Sequence, residues 1–456
     1  MRAVLIPDAA RSVASALRGT PFEGKVHMVG GAVRDLLLGG QAPKDIDLVV
    51  EGDALAMAHL LWDRQVADKP PAVFENFGTA QVVIEGVEVE AVTARKESYR
   101  GDSRKPVVEP ATLLEDAQRR DFTVNALLLN IATGEVHDPL GLGLDDLDAR
   151  ILRTPLEPKQ TFSEDPLRML RAVRFRWQVG LAPAPGLVEA IQETAPRLEI
   201  ISAERIEAEL SKMLARTSAA DALRDLMDWN LLDQFWPEFR AMLGVDQGTF
   251  HHLDVWEHTL LVVKQASSED LVENLGCLFH DVGKPPTRTV EPSGKVRFFD
   301  HENFGAEMSR VMLNRLRFPS ETVGRVARLV KNHMRLGSSP IFTPTAARRV
   351  VRDLGEDLER LLCLVEADVK SLRPGVDVAL DMPRVRETIE VVQRATPADT
   401  LVSPLDGEEI MAVSGVGPGH EVGRLKRLLT EEVLEGRIPP GDKDAATAFL
   451  RALAPN

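Results

Sequence analysis

Two aspartates separated by one residue stand at the start of an apolar stretch, and this pattern restricts the possible folds most. Asp45 and Asp47 flank Ile46, and residues 48–50 are Leu-Val-Val, which together predict a buried β-strand. Residues at positions i and i+2 of a strand project from the same face of a sheet. The sequence therefore predicts a sheet that presents two carboxylates on one face.

The segment before this strand is Gly30-Gly31-Ala-Val-Arg34-Asp. It predicts a turn into a helix, where backbone N–H groups can bind a triphosphate. Neighbouring carboxylates bind hard cations such as Mg²⁺, which also takes phosphate oxygens as ligands. An isolated Asp-x-Asp is usually a solvated strand end, and an isolated Gly-Gly indicates little. A Gly-Gly turn followed by Asp-x-Asp indicates two-metal nucleotidyl transfer.

Composition limits the classes of protein. The chain has 456 residues, which is too many for one core, so we expect three or four domains. Two cysteines, no signal peptide and no apolar run of about 20 residues predict a cytoplasmic protein with no membrane partner. The net charge of −15 argues against indiscriminate nucleic-acid binding, so a nucleic-acid partner must meet local basic patches.

Strand and helix patterns alternate in the first third of the chain, and helical periodicity follows. Strands are predicted at 26–29, 46–50, 80–84 and 87–92, and helices at 32–38 and 53–62. The segment 236–248 is predicted to be a linker. We predict a multidomain chain with an α/β (α+β) head at 1–150, an all-α neck at 151–240, an all-α domain at 241–375 and a helical tail at 376–456.

Charged motifs of the first half fit nucleotide chemistry. In Arg119-Arg120-Asp121-Phe-Thr-Val-Asn125, the arginine forks match phosphate oxygens, and the Asp and Asn can contact a ribose. Glu90, on the strand 87–92, is a candidate third carboxylate or general base. The polar face of an ordinary surface strand explains it equally well.

A second charged motif, Glu-Asp165-Pro166-Leu-Arg168, begins a helical pattern. Asp165 accepts and Arg168 donates hydrogen bonds. We predict that both lie on one helix face at i and i+3, where they can bond the edge of a base. The alternative is a single ion pair on an amphipathic helix.

Six of the ten histidines fall between positions 251 and 333. Isolated histidines on helices are mostly structural. The order His…His-Asp…Asp, with Gly283-Lys284-Pro285 after the His-Asp pair, instead favours a divalent-cation site where an activated water attacks a phosphoester. The residues in this order are His258, His280, Asp281 and Asp368, and His301 and His333 lie between Asp281 and Asp368.

The motifs from Gly30 to Phe175 resemble the polymerase β superfamily, and within it the class II tRNA nucleotidyltransferases and bacterial poly(A) polymerases. The resemblance implies Asp45, Asp47 and Glu90 as catalytic residues, with Mg²⁺ on the two aspartates. It implies Asp165 and Arg168 as a protein template that selects CTP and ATP. Glu204, Arg205 and Glu209 match an element that braces the template helix. The implied nucleotide-binding residues are Gly30, Gly31, Arg34, Arg119, Arg120, Asp121, Asn125, Asp165, Arg168, Arg171 and Arg174.

The histidine segment resembles the HD phosphohydrolase superfamily. That pattern implies His258, His280, Asp281 and Asp368 as metal ligands, and His301 and His333 match the extra histidines of two-metal members. The cation expected there is Mg²⁺, Mn²⁺, Ni²⁺ or Co²⁺, and the alternative is a retained fold without activity. Residues 95–105, a basic segment around the only tyrosine, match the flexible loop of the nucleotidyltransferases. A solvated charged loop is the alternative.

We therefore predict a tRNA 3′-terminal nucleotidyltransferase that adds C and/or A from CTP and ATP and carries an HD domain. The sequence does not decide between CCA, CC-only and A-only addition. No obligatory protein partner is implied. The alternatives are a bacterial poly(A) polymerase and a non-catalytic protein that binds RNA or nucleotide.

Overall fold

The chain forms two units in the computed structural model, and each has its own buried core. The first comprises Met1–Glu209 and Asp225–Gln234, and the second comprises Leu210–Arg224 and Phe235–Asn456. No helix among the described residues is both long and apolar enough to span a bilayer. The structure describes residues 5–40, 45–98, 107–248, 251–337, 341–376, 380–395 and 397–453.

A seven-stranded mixed sheet forms the head of the first unit. Its strand order is β3-β4-β5-β2-β1-β8-β9, and all neighbours are antiparallel except β2 and β5, which are parallel. The four predicted strands are confirmed as β1, β2, β4 and β5. Two further pairs, β6–β7 and β10–β11, lie outside this sheet. The strands are β1 Val26–Val29, β2 Asp45–Val50, β3 Ala72–Phe74, β4 Thr79–Ile84, β5 Val87–Thr93, β6 Arg95–Ser98, β7 Val107–Pro110, β8 Leu128–Asn130, β9 Val136–His137, β10 Ile151–Leu152 and β11 Ala182–Pro183.

Ten α-helices accompany these strands in the described residues up to Asp228, and polar caps define several of their ends. Asp53 accepts hydrogen bonds from two backbone N–H groups at the start of α3, and Thr112 and Glu115 form a capping box at the start of α4. The helix Ala203–Leu214 continues from the first unit into the second, and the helix Ala219–Asp228 begins in the second unit and ends in the first. The helices are α1 Asp8–Ala16, α2 Gly31–Leu37, α3 Ala54–Asp63, α4 Leu113–Gln118, α5 Gly143–Asp148, α6 Pro158–Glu164, α7 Leu167–Val179, α8 Leu187–Thr194, α9 Ala203–Leu214 and α10 Ala219–Asp228.

Among its described residues, the remainder of the second unit is helical apart from one short hairpin, which confirms the predicted fold class. The hairpin strands are β12 Arg288–Val290 and β13 Val296–Phe298. The helices are α11 Val255–Ala266, α12 Leu271–Phe279, α13 Lys284–Thr287, α14 His301–Arg315, α15 Ser320–Asn332, α16 Pro344–Leu354, α17 Leu358–Lys370, α18 Met382–Ala395, α19 Gly407–Ser414, α20 His420–Leu434 and α21 Lys443–Leu453.

The first part of the segment 236–248 is not a linker, because Pro237–Met242 forms a 3₁₀ helix with buried side chains, and the prediction is wrong for that part. Trp236 and Phe239 are fully buried, and the Trp236 indole N–H donates to the carbonyl oxygen of Met312 at 3.0 Å. The Trp236 ring contacts those of Phe279 and Phe318, with centroids 5.3 and 6.1 Å away. Proline and glycine suggested a boundary, but aromatic burial places the first part of this segment in the core of the second unit.

Candidate active site and candidate metal centre

Two carboxylates of β2 lie beside two carboxylates of β5. Asp45 and Asp47 are exposed, whereas Ile46 between them is 1% exposed, so the predicted alternation is confirmed. The parallel register pairs Asp45 with Glu88 and Asp47 with Glu90. All four acidic residues line a pocket of about 130 Å³. The structure thus brings the three predicted catalytic residues onto two adjacent strands.

Negative charge is concentrated at Asp47. Desolvation and the nearby carboxylates of Glu90 and Asp45 raise the pKa of Asp47, and the Arg120 guanidinium opposes this rise. A divalent cation would relieve that repulsion, so this donor set fits Mg²⁺. Gly30, which precedes α2, has φ +79°, and a β-carbon there would lie 3.6 Å from Asp47 Oδ2. Glycine permits this backbone and keeps the approach to the carboxylate open.

One buried carboxylate holds both arginines of the Arg-Arg-Asp motif. Asp116 Oδ1 accepts from Arg119 Nε and Nη2 at 3.0 and 2.6 Å, and its Oδ2 accepts from Arg120 Nε and Nη2 at 3.0 and 2.7 Å. Burial raises the pKa of Asp116, but the two arginines outweigh it and lower the value. The sequence prediction missed Asp116, although its spacing of three and four residues from the arginines was a usable signal.

Asp121 and Asn125 connect α2 to α7. Arg171 donates from Nε and Nη2 to Asp121 Oδ2 at 2.9 and 2.7 Å, and Asn125 Nδ2 donates to Asp121 Oδ1 at 3.1 Å. Arg34, which is 2% exposed, donates from Nη1 to Asn125 Oδ1 at 2.7 Å. These bonds fix the motif between head and neck, and direct contact of these residues with a nucleotide stays a prediction.

Three guanidinium groups surround the Phe175 ring of α7. The Cζ atoms of Arg34, Arg171 and Arg174 lie 5.0, 5.3 and 4.2 Å from its centroid. Arg174 Nε also donates to the buried carboxylate of Glu209 at 2.6 Å, which confirms the predicted bracing contact. Arg171 is 33% exposed and Arg174 9%, so Arg171 has the better access to a ligand.

Asp165 lies outside the neck helix, so the prediction that it shares a helix face with Arg168 is wrong. Asp165 is extended, with φ −137°, and ends α6, whereas α7 begins at Leu167. The cause is Pro166, because a residue before proline is disfavoured in the helical conformation. Asp165 Oδ2 accepts from Arg205 Nη2 at 2.9 Å, the second bracing contact.

Arg168 has its own set of partners. Its Nη1 donates to the carbonyl oxygen of Thr161 at 3.2 Å, and its Nη2 donates to the carbonyl oxygen of Arg119. Its side chain is 8% exposed. The structure therefore ties Arg168 to the Arg-Arg-Asp motif through the backbone.

The predicted basic loop lies largely outside the described residues. β6 and β7 flank it, and Arg95 Nη1 donates to the carbonyl oxygen of Phe77 at 2.6 Å. Tyr99, Arg100, Arg104 and Lys105 fall outside the described ranges.

Two adjacent groups of potential metal ligands lie in the second unit. Within each group, one ligand atom from each of the three residues lies within 4.8 Å of the others. These are the only such groups of three in the part of the chain that the structure describes. The first group is His258, His280 and Asp368, and the second is Asp281, His301 and His333.

Asp281 faces the histidines of both groups. Its Oδ2 lies 3.1 Å from His280 Nε2 and 3.8 Å from His258 Nε2. Its Oδ1 lies 3.5 Å from His301 Nε2 and 3.8 Å from His333 Nε2. The carboxylate thus lies between the two groups, and all five side chains are buried.

Backbone carbonyl oxygens orient three of the imidazole rings. The Nδ1 atoms of His280, His301 and His333 lie 2.7, 2.9 and 2.6 Å from the carbonyl oxygen three residues earlier. These contacts assign the proton to Nδ1 and leave a lone pair on Nε2. Burial and the neighbouring His280 lower the pKa of His333 to about 3, which keeps that ring neutral. Burial lowers the pKa of His280, but the Asp281 and Asp368 carboxylates outweigh it and raise the value, so a cation there would have to displace a proton from that ring.

The histidine cluster fits a divalent cation. His280 Nε2 and Asp281 Oδ2 are buried, yet no hydrogen bond of acceptable geometry reaches either atom among the described residues. Lys284 Nζ lies 2.6 Å from Asp281 Oδ2 and forms an ion pair with it, but the angles of this contact are not those of a hydrogen bond. Buried polar atoms without hydrogen bonds are costly, and neutral imidazoles with carboxylates suit divalent transition metals. Such a cation would satisfy both atoms.

His251 lies next to this cluster and was not assigned by the sequence prediction. Its ring centroid is 4.6 Å from that of His258, at an interplanar angle of 84°. Its Nδ1 is buried without a hydrogen bond among the described residues. Its place in the run of six histidines was the available signal.

Gly283 contacts α14 through its backbone, and this contact predicts a strong effect of an added methyl group. A β-carbon there would lie 2.2 Å from the carbonyl oxygen of His301 and 2.7 Å from the backbone nitrogen of Gly305. We expect Gly283→Ala to destabilise the second unit by about 1–3 kcal/mol, because α14 must shift. Thermal unfolding measures the effect. The control is Gly324→Ala in α15, where a β-carbon meets no atom within 4 Å and the unfolding temperature should hold or rise.

The fold and these sites together define a nucleotidyltransferase head followed by an HD domain. Residues 26–153 match the family model of the poly A polymerase head domain, and residues 251–371 match the HD domain. Between them, residues 180–243 match a model described as the probable RNA and SrmB-binding site of polymerase A. Both the nucleotidyltransferase and the HD families generally depend on divalent metals.

The chain belongs to the tRNA nucleotidyltransferase family. It is 36% identical over 360 residues to an A-adding tRNA nucleotidyltransferase of Deinococcus radiodurans, covering 76% of this chain and 80% of that one. It is 35% identical over 439 residues to a CC-adding tRNA nucleotidyltransferase of Thermus thermophilus, covering 92% of both. The solved Bacillus stearothermophilus CCA-adding enzyme in complex with CTP is similar, with a TM-score of 0.70, 25% identity and 98% of both chains covered. The predicted enzyme class is confirmed.

Proposed function

We propose that this nucleotidyltransferase adds C and/or A from CTP and ATP to the 3′ end of tRNA. The observation that carries the proposal is the group of Asp45 and Asp47 on β2 beside Glu90 on β5, with the charge of Arg120 acting on Asp47. The relatives named for CC and A addition support the substrate, as does the similar structure bound to CTP. Poly(A) polymerase activity, the alternative, receives less support because those relatives act on tRNA.

In this reaction the tRNA 3′-hydroxyl oxygen attacks the α-phosphorus, and the bond to pyrophosphate breaks. Mg²⁺ held by Asp45 and Asp47 would neutralise and align phosphate oxygens. Glu90 either completes the carboxylate set or accepts the hydroxyl proton. Arg119 and Arg120 would stabilise charge on the triphosphate electrostatically.

The reaction is tested with three tRNA transcripts, which end at the discriminator base, at C and at CC. Each is incubated with one labelled nucleoside triphosphate at a time. A CCA-adding enzyme incorporates CTP into the first two transcripts and ATP into the third. A CC-adding enzyme incorporates CTP into the first two and does not extend the third. An A-adding enzyme extends only the third, with ATP. Failure of every transcript to be extended would refute the proposal.

We also propose that Asp165 and Arg168 select the base, each held by its own partners at the junction of α6 and α7. Asp165→Ala or Arg168→Ala should raise misincorporation of UTP and GTP about tenfold or more and lower total turnover less. The reason is that a site built to hydrogen-bond one base leaves its polar groups unpaired with another. Competition between labelled triphosphates measures the ratio. Lys159→Ala, in the exposed ion pair of Lys159 with Glu193, is the control and should leave selection unchanged.

For the second unit we propose hydrolysis of a phosphoester, a 2′,3′-cyclic phosphate or a terminal phosphate on damaged RNA. The ligand groups of His258, His280 and Asp368 and of Asp281, His301 and His333 would hold Mg²⁺, Mn²⁺, Ni²⁺ or Co²⁺. A bound cation would polarise the phosphoester and lower the pKa of a nearby water. This activity would clear a tRNA end before nucleotide addition.

The four-region organisation and a cytoplasmic location are part of the same proposal. The matched family models at 26–153, 180–243 and 251–371 support a head, a neck and an HD domain near the predicted boundaries, followed by a tail. In the tail we propose Arg424, Lys426 and Arg427 as contacts for tRNA, and a solvated helix face is the alternative. Arg424 pairs with Glu421 at 2.7 Å, which favours Lys426 and Arg427 among the three.

A further inference from the structure

The two arginines of the motif would repel each other without the carboxylate between them. Arg119 and Arg120 each use the Nε and Nη2 edge of the guanidinium to bind a separate oxygen of Asp116, and each side chain remains 19% exposed. The Asp116 side chain is 2% exposed, so water does not compete for these bonds. The group of three has a net positive charge, and only the arginines reach solvent.

Further hydrogen bonds connect this group to two other parts of the first unit. Arg119 Nε donates to the carbonyl oxygen of Arg95 at 3.0 Å, and the backbone N–H of Arg95 donates to Asp116 Oδ1 at 3.4 Å. The carbonyl oxygen of Arg119 accepts from Arg168 Nη2. On the other side, Arg120 is close enough to Asp47 to lower its pKa. Asp116 is therefore bonded to the start of β6 and linked through Arg119 to Arg168.

We propose that Asp116 is the positioning residue that fixes Arg119 and Arg120 for the triphosphate and, through Arg119, aligns Arg168 for the base. The proposal rests on the nucleotide contacts proposed above for these arginines. Asp116 itself is buried behind both guanidinium groups and contacts no substrate. It acts by holding two like charges side by side in one orientation, which reduces the cost of ordering them when a triphosphate binds.

Two substitutions separate charge from shape at this position. Asp116→Asn keeps the size of the side chain but leaves one acceptor oxygen and turns an NH₂ group towards a guanidinium. Asp116→Glu keeps the charge and displaces it by one methylene group. We expect the Asn variant to raise KM for CTP or ATP about tenfold, which is the loss of a charge-assisted pair. The Glu variant should raise it about threefold, and KM for tRNA should stay within about twofold of wild type for both.

Direct binding of CTP, measured without tRNA, separates this proposal from the proposed reaction. The dissociation constants of wild type, Asp116→Asn and Asp116→Glu should rise in the same order as KM. A protein that binds CTP but extends no tRNA would refute the reaction and leave the Asp116 comparison valid. If Asp116→Asn does not fold, the CTP dissociation constant and KM of Asp116→Glu test the proposal. Wild-type CTP affinity and KM in every folded variant would overturn the proposal.

A matched control distinguishes positioning from general stability. Asp357 in the second unit is also fully buried and holds Arg325, Arg328 and Arg360 at 2.7, 3.0 and 3.3 Å. Asp357→Asn should lower the unfolding temperature and leave KM for CTP or ATP unchanged. An equal rise of KM in the Asp357 and Asp116 variants would show that stability alone is responsible and would also overturn the proposal.

Discussion

Replacing Asp45 or Asp47 by alanine is expected to reduce nucleotide addition by about 10³-fold or more. Both carboxylates lie on one face of β2, and the repulsion of Asp47 by Glu90 and Asp45 is the feature that a cation would relieve. Loss of a cation ligand removes several kcal/mol of transition-state stabilisation, and about 4 kcal/mol corresponds to 10³-fold in rate. Single-turnover incorporation of labelled CTP and ATP measures the effect.

Neither variant should unfold. The two side chains are exposed, and removing a carboxylate from a repulsive pair stabilises the folded chain or leaves its stability unchanged. Asp63→Ala, at the exposed end of α3, is the matched control and should keep full activity. Near-normal incorporation by both Asp45→Ala and Asp47→Ala would show that the catalytic carboxylates lie elsewhere.

The joint replacement of His280 and Asp281 by alanine should abolish metal binding and phosphoester hydrolysis in the second unit. Asp281 faces histidines of both ligand groups, so its loss affects both. Nucleotide addition should stay within about twofold of wild type, because the proposed head site has its own carboxylates. Metal content and the hydrolysis of cyclic and terminal phosphates are measured with Mg²⁺, Mn²⁺, Ni²⁺ and Co²⁺.

His420→Ala, at the exposed start of α20, is the control for this variant and should keep both metal and hydrolysis. The decisive comparison is with wild type. Wild-type protein that binds none of the four cations and hydrolyses neither phosphate would show that the domain is structural. If the folded double variant loses nucleotide addition, the head site and the metal site of the second unit do not act independently.

The sequence was most informative where side-chain periodicity and chemistry agree. Asp45 and Asp47 alternate with buried residues, so the strand and its polar face follow from local pattern alone. The six candidate metal ligands follow from the resemblance to the HD superfamily, and the structure brings them into two adjacent groups although His258 and Asp368 are 110 residues apart.

One error had a local signal in the sequence, because Pro166 disfavours the helical conformation for Asp165, which therefore falls between two helices. The other errors came from residues whose role depends on tertiary packing. Trp236 looked like part of a linker because its aromatic partners are distant in sequence. Asp116 was missed because an acidic residue on a short helix is usually solvated, and its burial becomes visible only in the structure.

The parallel pairing of β2 with β5 has a consequence for folding. The segment between them contains α3, β3 and β4, so the pairing of residues 45–47 with residues 88–90 is a contact between parts of the chain that are distant in sequence. The pocket that they line requires both strands to be paired. A ligand that requires the pocket binds the native state alone, and its binding energy adds to the stability of the first unit. Substrate supply would thus lower the fraction of unfolded head that a protease can cleave.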